Sequence, residues 1–202
     1  KVVSTTKKYT PHYSYLTKEC LFYLSFLSMN LQMEETFADS LVQMQKQIGF
    51  NSPLIVYAAT SLLIRNGKSQ DAYEIVSKRQ FAGKTFSFHY LNYLQGLCLL
   101  YQGDSACRKY FREYLNEFKG RTFIRSAWNK LAWSYLLEGD SLKYKTIMGK
   151  VKSSGTNLID EDKQSTLESE RTILPNRVIL RSRLYFDGGF YTLSLKELIS
   201  IT

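Results

Sequence analysis

Equally spaced glycine turns are the strongest constraint on how this chain folds. Asn66-Gly67-Lys68, Gln102-Gly103-Asp104 and Glu138-Gly139-Asp140 each separate two stretches whose apolar residues recur at helical spacing. The steps from Gly67 to Gly103 and from Gly103 to Gly139 are both 36 residues, and Asp187-Gly188-Gly189 follows with Gly189 a further 50 residues on. The last interval equals one period plus an insertion of 14 residues. Glycine reaches the positive φ of a chain reversal at little cost, so each site predicts a helix C-terminus followed by a second helix. A fixed period of this length predicts stacked helical hairpins.

Composition agrees with that reading. Only 3 Pro and 11 Gly occur in 202 residues, few for a fold of many short strands and turns. Strand-like alternation is nearly absent, which predicts an all-α chain. Aromatic residues reach 14%. The run Leu21 to Leu27 is interrupted by Ser25 and is far short of the ~20 apolar residues that cross a bilayer. The first residue is Lys1, so the chain reads as a processed form or a piece of a longer protein, and localisation is left open.

The stretch "WNKLAWSYLLEGD", Trp128 to Asp140, carries the clearest unit. Trp128, Leu131, Ala132 and Tyr135 match the first-helix pattern W-x2-L-G-x2-Y with Ala in place of Gly, and Gly139 supplies the turn. A small residue at 132 lets two helices approach closely while the large ones fill the space to a neighbour. The chain thus resembles the tetratricopeptide repeat superfamily over about residues 51 to 202. It also resembles the C-terminal part of longer uncharacterised bacterial proteins of that kind. Ala72 and Val76, and Tyr191, Ser194 and Leu198, fill second-helix positions of other units. Gly96 with Cys107 and Phe111 matches more loosely. The resemblance implies a right-handed α-solenoid of about five antiparallel hairpins, with approximate repeats at 51–82, 86–119, 121–153 and 174–202 and an insertion near 154–173. Residues 1–50 read as a divergent N-terminal hairpin, with helices over 12–30 and 32–48. Asn51-Ser52-Pro53 and Pro175 mark helix starts.

No catalytic constellation emerges. His12 and His89 stand apart from any nucleophile motif, and Cys20, Cys98 and Cys107 form no Cys-x-x-Cys pair. Buried core thiols are the expectation. Asp160-Glu161-Asp162 reads as acids at the positive end of a short helix, and Glu168 and Glu170 as solvent-exposed acids, rather than as a metal site. No cofactor or metal is expected, and the chain reads as a non-enzyme.

The resemblance implies a function in binding proteins or peptides. First helices of such arrays line a concave groove, which places Tyr57, Arg65, Tyr93, Tyr101, Asn129, Trp133, Arg183 and Asp187 as candidate groove residues. Each has an alternative role in side-chain packing between hairpins. A second function class stays open. The net charge of +9, with basic residues among aromatics in "CRKYFREY" and "FKGRTFIR", suits a nucleic-acid backbone. Arg108, Lys109 and Arg112 are expected on an exposed outer helix. At the far end, Leu195, Leu198 and Ile199 are expected either to bury against the preceding hairpin or to form an apolar patch suited to self-association.

Overall fold

The computed structural model describes residues 53–78 and 87–200, together with Tyr23, Asp39, Ser40, Val42 and Gln43. The expected hairpin at 1–50 and the thiol of Cys20 lie outside the described residues. Among the described residues the fold is all-α with no strand. The helices are α1 (Pro53–Arg65), α2 (Ser69–Ser77), α3 (Tyr90–Tyr101), α4 (Cys107–Glu117), α5 (Ile124–Leu137), α6 (Ser141–Ser153), α7 (Asp160–Ser169), α8 (Arg177–Asp187) and α9 (Tyr191–Ile199). None of them is long and apolar enough to cross a membrane.

Each glycine turn closes in the same way. Gly67, Gly103, Gly139 and Gly189 have φ of 66°, 74°, 92° and 85°. Their N–H groups donate to Ile64, Leu100, Leu136 and Phe186, three residues back, at 2.9–3.0 Å. The next residues, Lys68, Asp104, Asp140 and Phe190, donate to Leu63, Leu99, Tyr135 and Tyr185, five residues back, at 2.8–3.0 Å. This paired bonding is the Schellman motif, which satisfies carbonyls that a helix end leaves open. The 36-residue step is thus a repeated piece of backbone geometry.

The chain divides into two compact units, Lys1–Leu91 and Asn92–Thr202, with the division inside α3. In the first, α1 packs on α2 around Val56, Val76 and Leu91, flanked by Tyr57, Ile75 and Phe88. In the second, α5 is the hub, in contact with α4, α6, α7 and α8, while α8 pairs with α9. Leu131, Ala132 and Leu136 of α5 are buried. Phe111 of α4 is buried against α3, where a Cβ at Gly96 would lie 3.0 Å from its ring. Cys98 and Cys107 are free and buried, and burial pushes both thiols up to about 12.

The insertion contains α7, and its acids do more than begin that helix. α5 starts after Phe123, a non-glycine residue with φ of 57° that offers no capping side chain. Asp162 of α7 supplies the cap. Its Oδ2 accepts from Phe123 N–H at 2.8 Å and its Oδ1 from Ser126 N–H at 2.9 Å. The carboxyl is fully buried, and burial raises its pKa while these N–H donors oppose the rise. Asp160 instead pairs with Lys163 at the exposed surface.

Arg108 also differs from expectation, whereas Arg112 is exposed as expected. Arg108 is half-buried, donating to Ser134 Oγ at 3.0 Å and to its carbonyl at 2.6 Å, and pairing with Glu138 at 2.6 Å. Arg112 donates to the Tyr135 hydroxyl. These two arginines tie α4 to α5 rather than forming a free basic face. At the far end, Leu195 and Ile199 are 59% and 62% exposed and Leu198 41%, so the apolar residues stay open.

Removing the Asp162 carboxylate leaves two helix N-terminal donors without it. Asp162→Ala is expected to lower the unfolding free energy by about 2 kcal/mol, measured by urea denaturation. A loss below about 0.5 kcal/mol would show that other groups satisfy the start of α5.

Candidate functional site

The candidate groove residues separate into three kinds of environment. Tyr57 packs edge-on to Phe88 and Tyr90, with ring centroids at 5.5 and 5.8 Å, and Arg65 is exposed at the end of α1. Tyr93 is a core residue of the second unit. It lies among Phe111, Tyr114 and Phe123, and its hydroxyl bonds to Ser126 Oγ at 2.8 Å. The other five, Tyr101, Asn129, Trp133, Arg183 and Asp187, fall in one electrostatic cluster built from α3, α5, α7 and α8.

Trp133 is its floor. The indole is 3% exposed, with Lys130 Nζ 3.8 Å from the ring centroid and the Arg183 guanidinium carbon at 5.4 Å. Lys130 and Trp133 are three residues apart on α5, so they share a helix face. Arg183 comes from α8, where it stands four residues before Asp187 and pairs with it at 3.7 Å. Glu168 of α7 completes the frame. Its Oε1 accepts from Arg183 Nη1 at 3.3 Å and its Oε2 from Asn129 Nδ2 at 2.9 Å. Asn129 is wholly buried, and its Oδ1 has no hydrogen-bond partner.

Two cations, Lys130 and Arg183, therefore face two carboxylates, Glu168 and Asp187. Burial lowers the Lys130 ammonium to about 8, against the opposing pull of Glu168 and with the Arg183 charge adding to the fall. Asp187 is raised, first by burial, with Arg183 and Lys130 opposing. Burial and then the Asp187 charge hold the Tyr101 phenol above its ordinary range. Arg183 and Asp187 keep 49% and 39% of their side chains exposed, so they form the accessible part.

Lys130 and Glu168 were not legible as site residues. Lys130 was visible only as a lysine one helical turn before a tryptophan. Glu168 lies in the insertion, which has no place in the repeat pattern. Among the described residues no group of three or more His, Cys, Asp or Glu is arranged to hold a metal ion. Of the acids of the insertion, Asp162 caps α5, and Glu168, expected in solvent, is instead buried and joins Asn129 and Arg183.

Lys130 has a testable pH signature. Its folded pKa lies below the ~10.4 of an unfolded lysine, so between about 8 and 10.4 the folded state binds fewer protons and stability from this group rises with pH. Cys98 and Cys107 act in the opposite sense at alkaline pH, so the effect is read as a difference. The stability of wild type relative to Lys130→Met should increase from about pH 7 to about pH 9.5 in urea titrations. A difference independent of pH would place the ammonium in solvent.

No protein-family model matches this chain, and no curated protein matches it either.

Proposed function

We propose that the chain is a non-catalytic scaffold, a right-handed solenoid of about five tetratricopeptide-like hairpins that binds a protein or peptide partner. The carrying observation is the half-exposed Arg183–Asp187 pair held over Trp133 and braced by Glu168 and Lys130. Charged groups fixed in place before binding lose little freedom when a partner arrives. Arginine and tryptophan are also the residue types that dominate binding hot spots. The four identical Schellman turns support the repeat reading. The step from such an architecture to partner binding is an analogy of fold.

The fate of the basic residues favours a protein partner over a nucleic acid. Arg108 is tied to Ser134 and Glu138, Arg125 to Ser154, Asn157 and Thr166, and Arg181 to Leu137 and Glu197. Arginines used internally in this way are poorly placed to form a continuous phosphate-binding stripe.

The test is quantitative capture with the full chain and with Arg183→Glu as paired baits. Partners specific to the wild type should fall by about tenfold with the charge-reversed bait. Identical capture by both baits, or turnover of a small-molecule substrate unaffected by Arg183→Glu, would overturn the assignment. The open apolar residues Leu195, Leu198 and Ile199 support a second contact, self-association through the end of α9. Sedimentation equilibrium should show concentration-dependent association that Leu195→Lys with Ile199→Lys abolishes; a strict monomer would refute it.

A further inference from the structure

A cavity of about 320 Å³ opens between α6 and residues 168–174, the end of α7 and the start of its connection to α8. On α6 it is lined by Lys145, Met148, Gly149 and Lys152, spaced as neighbours on one helix face. Arg171 and Ile173 line the other side, and Ile173 is 82% exposed. Glu168 also borders the cavity, but both its oxygens already accept hydrogen bonds from Asn129 and Arg183. Three cations thus line an opening of mixed polar and apolar character, with Met148, Ile173 and Leu174 as its aliphatic part and its one carboxylate hydrogen-bonded to Asn129 and Arg183.

Gly149 leaves bare, exposed backbone on this wall. It lies inside α6 without a positive φ, so no turn requires it. A Cβ placed there would meet nothing within 4 Å, so no internal contact requires it either. Glycine destabilises a helix interior relative to alanine, and bare backbone is the one thing it adds here.

We propose that this cavity docks an acidic peptide segment, with its main chain crossing α6 at Gly149. One apolar side chain of the segment enters beside Met148 and Ile173, and its carboxylates meet Lys145, Lys152 and Arg171. The combination selects this class of ligand. Three cations favour anions, Met148, Ile173 and Leu174 favour an aliphatic group, and the glycine leaves room for a backbone in van der Waals contact. An oligonucleotide would supply the charge without the aliphatic anchor. The site shares Glu168 with the Trp133 cluster but rests on its own residues, so it stands or falls apart from that reading.

The experiment titrates the full chain into a fluorescein-labelled octapeptide of Asp and Glu flanking two central leucines, read by anisotropy. Saturable binding that weakens with salt is expected. Lys152→Glu combined with Arg171→Glu should weaken it by about tenfold, as should Gly149→Leu, while Lys109→Glu on α4 leaves it unchanged. Gly149→Ala should raise the melting temperature yet reduce affinity, a pairing that a purely structural glycine would not show. No saturable binding, or wild-type affinity in both the Gly149→Leu and the Lys152→Glu/Arg171→Glu proteins, overturns the proposal. Preferential binding of a single-stranded thymidine oligonucleotide, with displacement of the peptide, overturns the assigned occupant.

Discussion

The contact on which the second unit depends is the Asp162 carboxylate at the start of α5. A helix begins with N–H groups that have no partner within the helix. α5 begins after Phe123, a left-handed residue with no polar side chain to offer. Asp162 brings two acceptor oxygens from a helix some 36–39 residues later in the chain. That group caps the start of α5 and, with Arg125 bonded to Thr166 and Asn129 to Glu168, holds α7 against it. α7 in turn brings Glu168 to Asn129 and Arg183, so the charged cluster over Trp133 inherits its geometry from this cap.

The same logic explains why several arginines among the described residues are engaged inside the fold. Arginine carries five donors in a planar fork and keeps its charge when partly buried, so it joins helices well. Arg177 and Arg181 of α8 both donate to the carbonyl of Leu137, one of the acceptors left over at the end of α5. Arg108 occupies Ser134 on the same helix and Glu138 just after its end. Lysines such as Lys145 and Lys152, by contrast, stay exposed on α6, where they rim the cavity beside Gly149. Arginines thus hold the unit together, and lysines supply much of its free positive charge.

How far the sequence could be read follows from how local each signal is. The turn glycines were legible because positive φ is a property of a single residue, and the 36-residue step repeated it. The stretch from Trp128 to Tyr135 was legible as a helix because its periodicity lies within one element. Of the candidate groove residues, Tyr101, Asn129, Trp133, Arg183 and Asp187 share one cluster, whereas Tyr93 lies in the aromatic core with Phe111, Tyr114 and Phe123. Residue type and helical phase alone do not separate these two fates, because an aromatic side chain on an inner helix face suits both.

The sequence by itself determined that the described chain is helical, and where four of its helices end, because period and glycine act over a few residues. Tertiary structure decided which polar groups are buried together. Asp162 with Phe123 and Ser126, Glu168 with Asn129, and Lys130 and Arg183 around Trp133 are partners distant in sequence, apart from the one-turn step from Lys130 to Trp133. Their charges and hydrogen bonds acquire their character only when folding removes water from around them, and no residue pattern along the chain encodes that loss of solvent.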